Sequence, residues 1–289
     1  MRYAVTWALG LVLCFTVQGV ALRLVGGRTI KSESNYFSSL GRIQAGVRGE
    51  PRVMMLGSSI TGRLPDRAQG FNGLANLGCD GGSAADTLRA IDQGLLPAAP
   101  VLLVEANSLH LAMPGGTSEV GQAIHRPWFR VGVEVPAVSS YARPAAFAYS
   151  RLLATRTGGF GDAHRDDLGL GSAPSTPAWR WDISEIDALA RRYSDELVDV
   201  IRRVEQAGSR VIVVLLPPAR MEGGEPPPWL RRTISESGAE WWDLGTDVDP
   251  GLVQLTDGVH MDGGTAVRTV NSIRSGLNLP DPTANVLQR

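Results

Sequence analysis

Two serines follow directly after an apolar run in the first third of the chain. The segment VMMLGSSITG, residues 53–62, ends its hydrophobic part at Gly57 and continues with Ser58 and Ser59. A serine hydroxyl is a poor nucleophile until a neighbouring base takes its proton. Near the C-terminus, the segment LTDGVHMDGG places Asp257 three residues before His260. A carboxylate can hold an imidazole in the tautomer that accepts a serine proton, so these residues suggest nucleophilic catalysis.

Two further segments offer hydrogen-bond donors for a developing negative charge. NLGCDGGS, residues 76–83, contains Gly81, and EANS, residues 105–108, contains Asn107. A glycine N–H and an asparagine amide are both suitable donors to an oxyanion. Each segment also has an ordinary explanation, because serine caps helices, glycine and asparagine form turns, and aspartate often bonds to nearby backbone. The chemical interpretation therefore depends on a fold that brings the segments together.

The segments that carry these residues follow predicted strands. Continuous apolar runs, which are typical of buried parallel strands, occupy 52–57, 73–78, 101–107 and 210–218, and a shorter run covers 239–245. Helical patterns alternate with them over 36–47, 83–96, 182–208, 227–238 and 262–277. This alternation predicts a three-layer α/β/α domain with a mostly parallel sheet. Ligands bind beyond the carboxyl ends of the strands in such sheets, which is where the candidate residues lie.

The predicted domain covers residues 51–280 and contains one region without a clear period. Residues 108–181 alternate short segments rich in glycine, proline and tryptophan, and we expect an irregular insertion there, such as a lid or substrate-facing loops. Residues 23–50 are predicted to form a stalk and a short helix, and residues 281–289 a tail.

The N-terminus carries a long uncharged run. It extends from Tyr3 to Leu22 between Arg2 and Arg23, and about 20 apolar residues suffice to cross a bilayer. A cleavable signal peptide is the alternative, with Gly19 and Ala21 as small residues near a cleavage site. Residues 1–22 are thus expected to be a transmembrane anchor or a signal peptide. Either places the remaining chain outside the cytoplasm, on the periplasmic or cell-surface side, anchored to the membrane or secreted after cleavage.

Composition argues against several partners. The net charge is -1 at pH 7, so the chain has no basic footprint for nucleic acid. Its two cysteines, Cys14 and Cys79, lie in an apolar run and in a glycine-rich segment, and we expect no disulfide between them. No cysteine or histidine pair has the spacing of zinc ligands, so no metal is predicted.

Taken in order, the four segments resemble the SGNH or GDSL hydrolase family. GSSIT resembles its first block with Ser59 as nucleophile, NLGCDG its second with Gly81, EAN its third with Asn107, and DGVH its fifth with Asp257 and His260. The resemblance implies a flavodoxin-like fold and a Ser-His-Asp triad. It also implies an oxyanion hole of the Ser59 and Gly81 N–H groups and the Asn107 amide, and ester hydrolysis with neither a metal nor an organic cofactor.

Two departures from the family's pattern leave alternatives open. Ser58 stands where the first block usually has aspartate, and Glu105 and Ser108 stand in a block that usually reads G-x-N-D. Ser58 is a rival nucleophile on sequence grounds. A non-catalytic envelope binding protein is a second reading of the chain, and an O-acetyltransferase of a polysaccharide, using the same triad, is a third.

The substrate implied by the resemblance is a small-molecule or glycan ester, because exported members of the family often act on acylated envelope glycans. Trp128, Trp179 and Trp181 are suited either to stacking on sugar rings or to covering the edge of the core. Arg220 is suited to an anionic group, although an exposed arginine is the simpler interpretation.

Overall fold

The fold of this chain was obtained as a computed structural model that describes residues 2–26, 33–112, 118–142, 181, 186–219, 224–248 and 250–279. The strands are β1 (Val53–Gly57), β2 (Leu74–Gly78), β3 (Val101–Glu105), β4 (Arg210–Leu215) and β5 (Glu240–Asp243). The α-helices are α1 (Arg2–Gly26), α2 (Glu33–Gly46), α3 (Ser59–Gly62), α4 (Ala84–Asp92), α5 (Glu119–Ile124), α6 (Pro127–Glu134), α7 (Ile186–Gln206), α8 (Pro228–Ser237), α9 (Leu244–Asp247) and α10 (Gly263–Gly276).

The five strands form one parallel sheet in the order β2-β1-β3-β4-β5. This is one of the two common orders of doubly wound sheets. The register aligns Gly57 with Gly78 and Leu56 with Val104, so β1, β2 and β3 end at the same level. The segments that follow these three strands therefore emerge side by side at one edge, as the predicted α/β pattern requires.

Alternate residues of each strand belong to two separate apolar cores. Met54 and Leu56 face a core built with α2, α4, α7 and α8, whereas Val53 and Met55 face a core built with α3 and α10. Because successive side chains of a strand point to opposite faces, these clusters lie on the two sides of the sheet. The arrangement agrees with the predicted layering of helices on both faces.

Several predicted boundaries need correction. Helix α4 ends at Asp92 rather than at residue 96, since the chain turns at Gly94 with a φ of 69°. Strand β4 stops at Leu215, and the prolines that follow start a 3-10 turn over Pro217–Ala219. The insertion predicted as irregular is largely helical over residues 118–142, where it includes α5 and α6. Helices of six and eight residues are too short for a periodicity to emerge.

The N-terminal run forms α1, and apolar side chains such as Trp7, Leu9 and Leu13 are exposed on it. Among the residues that the structure describes, no helix has the length and apolar character needed to cross a membrane. The anchor or signal peptide stays a prediction. Cys14 and Cys79 are both free.

Candidate active site

Ser59 lies beyond the carboxyl-terminal end of β1, in a helix of only four residues. It is the first residue of α3, and Ser58 caps this helix by accepting a hydrogen bond from the Ile60 N–H at 3.1 Å. The helix lies directly on the end of β2. A Cβ atom on Gly78 would collide with the backbone of Gly62, so glycine at the strand end is what permits this close approach.

His260 is held in a tight loop with Asp257. The Thr256 N–H donates to the His260 carbonyl at 2.8 Å and closes the loop, and Gly258 within it has a φ of 83° that favours glycine. The Asp257 carboxylate accepts the His260 main-chain N–H at 2.9 Å. A single turn thus supplies both the imidazole and the carboxylate, as the D-x-x-H spacing predicted.

The imidazole bridges Asp257 and Ser59. His260 Nε2 lies 2.8 Å from Ser59 Oγ, and Nδ1 lies 2.9 Å and 2.8 Å from the two carboxylate oxygens of Asp257. An ionised carboxylate only accepts, so Nδ1 carries the hydrogen and Nε2 is left to accept the serine proton. The arrangement has the geometry of a nucleophile, a general base and the group that orients the base.

The two adjacent serines have different hydrogen-bond partners. The Ser58 hydroxyl donates to Glu105 Oε1 at 2.8 Å and also accepts the Ile60 N–H. Its single hydrogen is committed to a carboxylate, and the residue is buried. Ser59 is the serine that contacts the imidazole, and its role as nucleophile stays a prediction.

The electrostatic surroundings favour the basic form of the histidine. Burial lowers the pKa of His260, and the nearby charge of Arg63 lowers it further, although the bond from Asp257 acts in the opposite direction. Partial burial alone would raise the pKa of Asp257, but bonds from the main chain and ring of His260 outweigh it and lower this pKa. At neutral pH the site therefore contains a neutral imidazole and an ionised carboxylate.

Arg63 is a site residue that the sequence reasoning missed. Its Nη1 lies 3.7 Å from Asp257 Oδ2 and donates to Thr256 Oγ1 at 3.2 Å. The available signal was its position four residues after Ser59, which returns a side chain to the same face of a helix. Arg63 joins the end of α3 to the loop that carries His260.

We expect Arg63 to move the acid limb of the pH–rate profile to lower pH. If His260 acts as the base, kcat/KM for an ester should rise as the imidazole loses its proton, with an apparent pKa below the ordinary value of about 6.5. Replacing Arg63 by glutamine removes a positive charge, which raises the pKa of His260 and moves the limb to higher pH. Arg203→Gln is the control, because that guanidinium bonds to Asp92 instead. An unchanged limb in Arg63→Gln would contradict the role assigned to Arg63.

The predicted oxyanion donors come from the segments next to the one that carries Ser59, and their role stays a prediction. Gly81 follows β2 and Asn107 follows β3, the two neighbours of β1 in the sheet. Gly81 is exposed and has a φ of 71°. Asn107 is fully buried, and its amide pairs with the Leu216 backbone, with Nδ2 donating at 3.4 Å. The second hydrogen on Nδ2 is the one that an oxyanion would need.

The turn that carries Gly81 is anchored from α2, which the sequence did not indicate. Arg42 Nη1 donates to the Gly78 carbonyl at 2.6 Å, and Nη2 lies 3.6 Å from Asp80. The Asp80 N–H donates to Ser39 Oγ at 2.8 Å. These contacts hold Gly78, where β2 packs closely against α3, and Asp80, which directly precedes Gly81.

Two of the four remaining candidates lie among the described residues. Trp128 and Trp181 pack against the apolar core, which supports the simpler of their two interpretations. Trp179 and Arg220 lie outside the described residues. Over the part of the chain that is described, no group of three or more acidic, histidine or cysteine side chains is arranged to hold a metal ion.

No family model matches the sequence, and no curated protein matches it either. The case for a function therefore depends on the arrangement of the residues themselves.

Proposed function

We propose that this chain is a serine hydrolase that cleaves carboxylic esters by acyl transfer through Ser59. The observation that carries the proposal is the 2.8 Å separation of His260 Nε2 and Ser59 Oγ, with Asp257 on the opposite ring nitrogen. A serine, a histidine and an aspartate in this arrangement are suited to acyl transfer, whereas a protein that only binds ligands does not require them.

The first half of the reaction forms an acyl-enzyme. Ser59 Oγ attacks the ester carbonyl while its proton passes to His260 Nε2, and a tetrahedral oxyanion results. The protonated imidazole, stabilised by Asp257, then gives that proton to the leaving alkoxide as the carbon–oxygen bond breaks. The alcohol departs, and the acyl group remains on Ser59.

The second half returns the enzyme to its starting state. Water loses a proton to His260 as it attacks the acyl carbonyl, the carboxylic acid leaves, and Ser59 recovers its proton. The Ser59 and Gly81 N–H groups and the Asn107 amide are the proposed donors to the oxyanion, and losing one such donor typically costs about 2.7–4 kcal/mol of transition-state stabilisation.

The same proposal places the chain among SGNH hydrolases and gives its substrate class. The strand order 2-1-3-4-5 and the positions of Ser59, Gly81, Asn107, Asp257 and His260 support the membership. With an extracytoplasmic location, an acylated envelope glycan is the substrate that this resemblance favours. The residues that would hold it come from the edge of the sheet at which β1, β2 and β3 end.

The proposal is tested by ester hydrolysis with the full chain. We expect turnover of p-nitrophenyl acetate without added metal, unaffected by a chelator, and release of acetate from an acetylated polysaccharide. An added glycan acceptor distinguishes hydrolysis from transfer, since transfer yields acetylated acceptor in place of free acetate. A folded wild-type protein that turns over no ester and transfers no acyl group would refute the proposal.

A further inference from the structure

Glu105 is a buried carboxylate that the proposed reaction does not use. It ends β3 and is only 2% exposed, although a charged residue is rarely buried unless it is paired. Among the described residues, none of the ion pairs within 4.0 Å involves Glu105. Its carboxylate must therefore be compensated by hydrogen bonds.

All of the described hydrogen bonds to this carboxylate come from the start of α3. Oε1 accepts the Ser58 hydroxyl at 2.8 Å. Oε2 accepts the Ser58 N–H at 2.9 Å, the Thr61 N–H at 3.1 Å and the Thr61 hydroxyl at 2.5 Å. Ser58 and Thr61, one residue before and two residues after Ser59, thus bind one carboxylate, and bonds to a charged group are the strong ones.

The space around the carboxylate leaves it little freedom. A Cβ atom on Gly57 would collide with Glu105 Oε2 and with Thr61, so the glycine that ends β1 makes room for the carboxylate. Glu105 and Thr61 also border a small cavity whose other walls are apolar, among them Met55, Leu103 and Ile273. The carboxylate is therefore enclosed between β1, β3 and α3.

We propose that Glu105 is a positioning residue that holds Ser59 in line with His260. A helix of four residues is unstable by itself, so the place of Ser59 Oγ depends on what anchors α3. Glu105 ties both ends of the Ser58–Thr61 turn to β3. The unusual Ser58 and Glu105 then form one unit, in which a hydroxyl at residue 58 meets a carboxylate supplied by the neighbouring strand.

This inference rests on the proposed ester hydrolysis and adds a residue to it. Replacing Glu105 by alanine leaves four donors unsatisfied and α3 free to shift. We expect kcat for p-nitrophenyl acetate to fall about 100-fold with KM nearly unchanged, the size of effect that a displacement of about 1 Å produces. Reaction of Ser59 with a fluorophosphonate should slow by a similar factor.

The conservative variant Glu105→Gln should restore most of this activity. Its amide oxygen can replace Oε2 and accept from Ser58 and Thr61, and its NH₂ group can donate to the Ser58 hydroxyl, which has a second lone pair. We expect kcat within about tenfold of wild type, because three of these hydrogen bonds are replaced by neutral ones and the bond with the Ser58 hydroxyl is kept with its direction reversed. A residue needed only for its charge would not be rescued in this way.

The control for general loss of stability is Gln44→Ala. Gln44 is fully buried and bonds to the Phe129 carbonyl at 2.9 Å and the Ser140 N–H at 2.8 Å rather than to α3. This variant should lower the melting temperature and leave kcat unchanged. If Glu105→Ala does not fold, Thr61→Val, which replaces the Thr61 hydroxyl with a methyl group that cannot donate to Glu105, takes its place, with an expected fall in kcat of about fivefold.

The possible results separate the two proposals. Wild-type turnover together with an unchanged kcat in folded Glu105→Ala, or in Thr61→Val if the former does not fold, would overturn the positioning role alone. A kcat in Glu105→Gln as low as in Glu105→Ala would also overturn it. Wild-type protein with neither turnover nor fluorophosphonate reaction would refute the hydrolase proposal, and the positioning role with it.

Discussion

Replacing Ser59 by alanine is expected to lower kcat for ester hydrolysis by about 10⁶-fold, close to the loss seen when a triad serine is removed elsewhere. The reason is direct, because the attacking oxygen disappears while His260 and Asp257 remain. Ser59 is only half-buried at the start of α3, so the variant should fold normally. Steady-state kinetics with p-nitrophenyl acetate, together with a melting curve, measure both effects.

The matched control is the same substitution one residue earlier. Ser58→Ala removes a helix cap and one bond to Glu105, and should cost about 1 kcal/mol of stability. We expect kcat to fall by less than about tenfold, since the cap shapes α3 without contacting the ester. In the reverse pattern, Ser58→Ala is inactive and Ser59→Ala is active. That result would show that Ser58, and not Ser59, is the nucleophile.

The second large effect is expected for Asp257→Asn, which should lower kcat by about 10⁴-fold. An asparagine NH₂ group can donate to Nδ1 of His260 and so place the ring hydrogen on Nε2. The imidazole then cannot accept the Ser59 proton, even though the packing of the loop is preserved. The measurement is the kcat of the folded variant across the neutral pH range.

Asp262→Asn is the control for this substitution within the same segment. Asp262 caps α10 by accepting the Thr265 N–H at 2.7 Å, and asparagine caps helices about equally well. Its kcat should stay near that of wild type. Equal losses in Asp257→Asn and Asp262→Asn would indicate damage to the loop rather than the loss of an orienting carboxylate.

The positions of the candidate site residues could be predicted from the sequence because several of them follow strand ends. An apolar run ending in glycine marks where β1 stops, and parallel strands bring such ends together at one edge. The D-x-x-H spacing predicted correctly that Asp257 and His260 share one turn. The glycine that ends the apolar run and the D-x-x-H spacing are local features, so they can be recognised in a short stretch of sequence.

The adjacent serines differ in contacts to residues that are distant in the sequence. Both Ser58 and Ser59 suit the start of a helix, and the choice depends on Glu105, which lies on a different strand. The sequence made Glu105 look like a departure from the expected block, since nothing local shows that its partners are Ser58 and Thr61. Arg63 and Arg42 were missed for the same reason, because their contacts connect segments distant in the chain.

Helix lengths were the weaker part of the prediction. The apolar spacing of α4 continues past its real end at Asp92, because Leu95 and Leu96 extend the pattern after Gly94 has turned the chain. In the opposite sense, α5 and α6 are too short to show a period. Hydrophobic spacing reports which face is buried and is less informative about where the backbone stops being helical.

The most direct test of the account is to locate the reactive hydroxyl by mass spectrometry. The full chain is treated with a fluorophosphonate and digested with trypsin, and the peptide covering residues 53–63 is fragmented to distinguish its two serines. We expect a single adduct on Ser59 that is absent from His260→Ala. An adduct on Ser58, or one on Ser59 that forms equally fast without the imidazole, would contradict it.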